Sequence, residues 1–374
     1  MKKKTIILSG VNLFQGGTLK IMQDAIEALS VYGKDRYRII ALVHDEKQYH
    51  SHPGVEYLSF PRSRRSWLWR LYHEYVLFYT VSKKYKPCLW FSLHDASPRV
   101  KAEKRAVYCH HSAPFYTGKR GWRELWMEPS FVIFCFLYKW FYRINLTGND
   151  YVVVQQEWMR KEFARIADRE KIIVSPPEFA SVEQAEEGEK EKGEKEKGEK
   201  FIFFYPSVPR VFKNFETIGE AVRILHRRMP NRFRVFLTLD GTENRYASWI
   251  RKKYGKLNEI GFTGLLPREA VEAYYRKCDC VLFPSKLESW GLPLSEAKSH
   301  HKPVVSARLP YALETIGEYE KTVFFNPEDA RELAFVMEGF IRGKITYDTT
   351  CKKEYESLYA PGWKELFDLL LNGI

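Results

Sequence analysis

The chain has 374 residues, 45% of them hydrophobic and 16% aromatic, which is long for one domain and comfortable for two, each with its own core. Its six cysteines (Cys88, Cys109, Cys135, Cys278, Cys280 and Cys351) form no C-x-x-C pair, which excludes a disulfide-stapled secreted scaffold and implies a reduced, cytoplasmic setting. The net charge of +13 is unevenly shared: residues 1–178 hold 29 Lys and Arg against 17 Asp and Glu, the rest 31 against 30, so the first half needs an acidic partner such as anionic lipid, nucleic acid or a phosphorylated substrate.

The opening MKKKTIILSG has an apolar run too short for a signal peptide and reads as a first strand. Gly16 and Gly17 follow, where backbone can approach a ligand closely, and Thr18 is placed to cap a helix from Leu19. The loop is not G-x-G-x-x-G, so nothing in it asks for a nicotinamide cofactor. YRIIALVHD and VEYLSF read as strands. An arginine- and aromatic-rich helical stretch runs from Pro61 to Pro87. CLWFSLHDASP and RAVYCHHSAPFY each read as a strand ending in histidine: His94 beside Asp95, then His110 beside His111. The run Phe131 to Phe141 is too short to span a bilayer and reads as the core face of a helix. DYVVVQQEWMRKEFARI and KIIVSPPE complete a first domain, residues 1–178. Strands alternating with helices predict an α/β, doubly wound parallel sheet.

Residues 179–200 hold a GEKEK-type repeat with no apolar side chain larger than Ala185 after Val182, the composition of a solvated linker. The βα alternation resumes at Phe201 for a second domain, 201–353, and the amphipathic end of the chain, 354–374, reads as a closing helix. In YPSVPRVFKN, Arg210 and Lys213 follow the first strand of this domain. Later, CVLFP reads as a buried strand feeding a loop with Glu288, Ser289 and Gly291. A helix begins near Leu292 with Pro293 as its first residue and Glu296 in its first turn. A helix N-terminus offers free N–H groups and partial positive charge, a seat for phosphate. Cys278 and Cys280 have no ligand-spaced partner and read as core.

The Glu288-to-Glu296 spacing, set in ESWGLPLSEA between strand and helix, resembles the E-x7-E signature of retaining glycosyltransferases with two facing Rossmann-like domains, the GT-B fold of family-4 type known from bacterial polysaccharide assembly. Residues 201–337 follow that pattern closely and the first half loosely. The resemblance implies transfer of a sugar from a nucleoside diphosphate sugar to a saccharide acceptor, lipid-linked by expectation. It places Glu296 on the ribose hydroxyls, Glu288 by the donor sugar, and Gly264 and Leu265 with Gly291, Leu292 and Ser289 about the nucleotide. Gly16 and Gly17 would face the donor, His110 would touch its sugar with His111 as an alternative, and the last helix would return to the first domain. Arg210 and Lys213 would take the diphosphate. Their spacing of three departs from the family's five and lacks its glycines, so Lys213 matches better than Arg210. No Asp-x-Asp metal pair is present, so the expected chemistry uses neither metal nor cofactor beyond the donor.

His94 and Asp95 form a second candidate, placed to take up the acceptor's proton. A nucleotide-sugar epimerase or a sugar phosphorylase on the same fold competes with this reading. So does a basic nucleic-acid-binding protein, given a pI of 9.2, although no helix-turn-helix, zinc or RNA-binding motif supports it. Docking on the anionic inner face of the cell membrane is expected from Arg62, Arg64, Arg65 and Arg70 interleaved with Trp67, Trp69 and Tyr72, joined by Lys119, Arg120 and Arg123 near Trp122 and Trp126.

Overall fold

A computed structural model describes residues 3–14, 16–116, 122–178, 199–355 and 358–373; the charged repeat and the loop with Lys119 and Arg120 lie outside them. The chain divides into two units. The first comprises residues 1–115, 136–178 and 355–374, and the second 116–135 and 179–354.

The first unit is built on a parallel sheet of seven strands: β1 (Lys4–Ser9), β2 (Tyr37–Val43), β3 (Val55–Ser59), β4 (Leu89–Ser92), β5 (Lys104–Cys109), β6 (Tyr151–Val154) and β7 (Ile172–Val174). They lie in the order β3-β2-β1-β4-β5-β6-β7. Helices cover both faces of such a sheet, so its central strands are apolar without alternation. Ile6, Ile7 and Leu8 of β1 are all fully buried, as are Leu89, Trp90 and Phe91 of β4. Successive side chains still go to opposite faces. Ile6, Leu8 and Phe91 pack with helix Gly16–Tyr32 and with Leu366, Phe367 and Leu370 of helix Trp363–Asn372. Ile7 and Trp90 pack with Phe78 and Val100 on the other face.

Helix Trp363–Asn372 thus brings the end of the chain to the first sheet, its apolar residues spaced to share one side. Its start is tied down by Glu178, whose carboxylate accepts the Trp363 N–H at 2.7 Å. A Cβ at Gly362 would stand 2.6 Å from that carboxylate, which would have to shift to admit it. Helix Gly16–Tyr32 opens earlier than expected, which puts Thr18 inside its first turn rather than at a cap.

The second unit holds a parallel sheet of six strands: β8 (Phe201–Tyr205), β9 (Phe233–Leu237), β10 (Ile260–Phe262), β11 (Cys280–Phe283), β12 (Val304–Ala307) and β13 (Thr322–Phe325). Their order is β10-β9-β8-β11-β12-β13. The chain leaves β8 toward one edge and returns at β11 to build toward the other, so connections diverge between these two strands. Open α/β sheets bind ligands at such a point, beyond the carboxyl ends of the strands. Cys278 and Cys280, at the amino end of β11 away from that point, are fully buried.

Helices Trp122–Met127 and Pro129–Arg143 meet at Glu128, and the boundary between the units falls inside the second of them. Chain order alone does not anticipate that residues 116–135 group with the second unit. The core reading of 131–141 holds for one face of the helix only. Phe131, Cys135 and Tyr138 are buried, whereas Phe136, Leu137 and Trp140 are exposed. Among the described residues no helix is long and apolar enough to cross a membrane.

Candidate functional site

The loops after β8 and β11 bring Arg210, Lys213, Glu288 and Gly291 to the divergence point of the second sheet. The β11 loop is held from all sides. Tyr311 Oη donates to the Ser285 carbonyl at 2.6 Å, the Lys286 N–H donates to the Phe212 carbonyl at 2.7 Å, and Asn214 Nδ2 donates to the Pro284 carbonyl at 3.1 Å. Trp290 Nε1 donates to Ser295 Oγ at 3.0 Å, and the Trp290 carbonyl accepts from Thr315. Gly291 precedes helix Leu292–Ser299 with φ +88°, a left-handed conformation that penalises any Cβ, and an added Cβ would also press on Leu294 and Phe283 at 3.4 Å. Ser289 is half-buried and Leu292 exposed.

Pro293 is the helix's second residue rather than its first, and Glu296 lies one turn in, not in the first turn as expected. The helix simply opens at Leu292, directly after the glycine.

Three cations about this site each hold a carboxylate. Lys213 Nζ lies 2.5 Å from Glu288 Oε1, with side chains only 16% and 13% exposed. Arg210 Nε bonds Glu128, whose other oxygen accepts the Val211 N–H at 3.0 Å. Arg268 bonds Glu296, which also accepts from Tyr275 Oη at 2.8 Å. Burial first, and then the Glu296 charge, hold the Tyr275 phenol well above its ordinary pKa, so it stays a donor. Gly264, at φ +69°, and the exposed Leu265 follow β10 at the same end of the sheet.

In the first unit, Gly16, His94 and His110 follow β1, β4 and β5, which are neighbours. Gly16 has φ +60° with open space where a Cβ would stand, and Gly17 is exposed next to it. His110 is nearly buried, with Nε2 at 2.9 Å from the Leu93 carbonyl and Nδ1 at 3.2 Å from Gln155 Nε2, so both ring nitrogens are engaged inside the unit. His111 is exposed, its ring edge-on to Tyr138 at 5.3 Å.

Asp95 is saturated. Its Oδ1 accepts the backbone N–H of His110 at 2.6 Å and of His111 at 3.1 Å, and Tyr142 Oη at 2.8 Å. Burial alone would raise this carboxyl, but the two histidines and the Tyr142 bond outweigh it and hold the pKa below its ordinary value. His94 is buried between the Ser9 carbonyl (Nδ1, 2.7 Å) and Glu74 Oε1 (Nε2, 2.5 Å). A proton must therefore sit on Nδ1 and another between Nε2 and the carboxyl. Both His94 and Asp95, expected to take up the acceptor's proton, are thus engaged with groups inside the unit. Arg70 also departs from expectation: it turns inward, donating to the His94 carbonyl at 3.2 Å and lying over Trp67 and Phe141.

Sequence reasoning missed Glu74, Arg268, Tyr275 and Glu128. Arg268 and Tyr275 lie seven residues apart on helix Arg268–Lys277, but no pattern there marks either as a partner of Glu296.

Residues 185–356 match the family model described as glycosyl transferases group 1. A serotype-specific mannosyltransferase, WbdA of Escherichia coli, is 27% identical over 138 residues, 36% of this chain. That match spans 17% of the mannosyltransferase's own length. WaaG, a glycosyltransferase involved in lipopolysaccharide biosynthesis, superposes with a TM-score of 0.64 over 98% of this chain and all of its own, at 14% identity. Sucrose-phosphate synthase from Thermosynechococcus elongatus gives 0.64 over 91% and 90% at 13% identity. Anabaena HepE in complex with UDP-glucose gives 0.58 over 91% and 90% at 15%. At such identities these structures speak for the fold alone. The chain has the GT-B fold, and its residues 185–356 are similar to the glycosyl transferases group 1 family.

Proposed function

We propose that the protein is a retaining, metal-independent glycosyltransferase that moves a hexosyl group from a nucleoside diphosphate sugar to a saccharide acceptor in surface polysaccharide assembly. The observation that carries this reading is the set of carboxylates and cations held at the divergence of β8 and β11. The donor's diphosphate already carries two negative charges and gains another as the sugar leaves, and this charge must be met. Lys213 and Arg210 supply fixed positive charge, and the start of helix Leu292–Ser299 supplies N–H groups. Glu296, oriented by Tyr275 and Arg268, accepts the ribose hydroxyls. Glu288 sits by the donor sugar, where it also tethers Lys213. Of the two adjacent histidines, His110 is proposed to touch the donor sugar, with His111 as the alternative; His110 is also held by Leu93 and Gln155. No cofactor besides the donor is required. The mannosyltransferase and UDP-glucose comparisons make mannosyl and glucosyl donors the first to try.

The acceptor is proposed to be lipid-linked and reached from an anionic membrane surface. Support comes from the first unit, where Trp67, Leu68 and Tyr72 on one helix and Phe136, Leu137 and Trp140 on another are exposed. The rings of Trp67 and Phe141 meet at 6.1 Å, joining the two helices. Exposed Arg62, Arg64, Arg65, Lys139 and Arg143 accompany them, and neither stretch, 61–73 or 129–149, contains an acidic residue. Aromatic rings favour the headgroup region and basic side chains favour anionic lipid.

The test is sugar transfer in EDTA with proton NMR of the new linkage. Turnover that persists and retains the donor's anomeric configuration supports the reading. Inversion, or activity that vanishes with chelator and returns with Mn²⁺, refutes it.

A further inference from the structure

We infer that Glu128 is an internal occupant of the diphosphate seat, a carboxylate that the donor's phosphates displace and that thereby sets donor affinity. The inference rests on the donor site proposed above and adds a residue from outside the family-matched segment. Glu128 is the joint between helices Trp122–Met127 and Pro129–Arg143. Its own N–H donates to the Glu124 carbonyl at 2.9 Å, and its carbonyl accepts from Phe131 at 3.1 Å. Its two carboxylate oxygens take a guanidinium, Arg210, and a backbone N–H, Val211. A phosphate of a nucleoside diphosphate uses this same pair of donors.

The surroundings favour exchange of the anion over movement of the arginine. The Phe131 ring lies 4.9 Å from that of Phe212, fixing the joint against the β8 loop. The Arg210 guanidinium lies 5.8 Å and 5.6 Å from these two rings, so leaving its place would forfeit both contacts. Its side chain is nevertheless 40% exposed, so an incoming anion can reach it. A diphosphate diester brings two negative charges where Glu128 brings one, and it also engages Lys213. The displaced carboxylate regains water. The Glu128 side chain is 14% exposed, so water already reaches the pair in part from the Arg210 side.

The experiment measures binding of UDP, GDP, ADP, CDP and inorganic pyrophosphate to the full chain as wild type, Glu128→Gln and Glu128→Asp, with and without Arg210→Ala. Removing the competing charge is expected to tighten the preferred nucleoside diphosphate about three- to tenfold. Glu128→Asp, one methylene too short to span both donors, should fall between, and it provides the same reading should Glu128→Gln misfold. The gain must disappear in the Arg210→Ala background, which a purely structural role for Glu128 would not produce. Unchanged or weaker binding in Glu128→Gln and Glu128→Asp, beside a wild type that binds, overturns the inference alone. Failure of wild type and variants to bind any of the five probes overturns the donor seat and this inference together.

Discussion

Replacing Glu288 with alanine removes the partner of Lys213 from a pair whose side chains are 13% and 16% exposed. Breaking a fully buried pair leaves an uncompensated charge and costs about 3–5 kcal/mol. Water reaches this pair in part, so the cost here should be about 1–3 kcal/mol. For a unit of this size each kcal/mol lowers the melting temperature by about 2–4 °C, which predicts a loss of about 2–12 °C without nucleotide. Saturating nucleoside diphosphate should shrink that deficit, because a phosphate takes the place of Glu288 on Lys213. Binding should accordingly hold or tighten, while turnover falls at least about tenfold through loss of a group that acts on the sugar. Thermal melting with and without the preferred nucleoside diphosphate, alongside initial rates, reads all three. Glu296→Ala should do the reverse, weakening nucleotide binding by about 1.5–3 kcal/mol because a charged acceptor is lost from the ribose hydroxyls. If the two variants behave alike, or if nucleotide leaves the Glu288→Ala deficit untouched, the division of roles is wrong.

Burial, opposed by the Asp95 charge, holds the His110 pKa below its ordinary 6.5. The unfolded chain therefore binds the proton first as pH falls, so this contribution to stability is complete above pH 6.5 and lost below it, toward the depressed folded value. Melting between pH 8 and pH 5 should show the decline, and His110→Gln should flatten it; an equal slope in the variant would assign the effect elsewhere. Asp95, with its pKa depressed below 3.8, adds a loss only at still lower pH. The full chain should float with anionic but not neutral vesicles, less so in high salt, and less when Trp140 and Leu137 become glutamate or when Arg62, Arg64 and Arg65 do. Equal binding to neutral vesicles, or none to either, would defeat the docking proposal.

The strands and the β11 loop were legible because burial on both faces of a parallel sheet writes continuous apolar runs, as in β1, β4 and β11, and because a glycine before proline marks where a helix can open. Position within that helix was less so: Glu296 lies one turn in because the helix starts directly at Leu292. Pairings between distant segments were not legible. Glu128 before Pro129 reads only as a helix start, and nothing local shows that its carboxylate meets Arg210 across 82 positions. The inward turn of Arg70 and the exposure of Phe136, Leu137 and Trp140 were hidden for a related reason. A run of basic and aromatic residues at helical spacing does not say which side faces the sheet; partners such as His94 and Tyr138 decide that.

The central claim is that the carboxyl ends of β8 and β11 seat a nucleoside diphosphate sugar. Thermal shift of the full chain with UDP-, GDP-, ADP- and CDP-sugars tests it most directly. A ligand at 100 times its Kd adds about 2.7 kcal/mol, and for a unit of this size that is about 5–10 °C. The account predicts such a shift with one base, lost in Lys213→Ala and in Glu296→Ala. No shift with any of the four, or an equal shift in both variants, would contradict it.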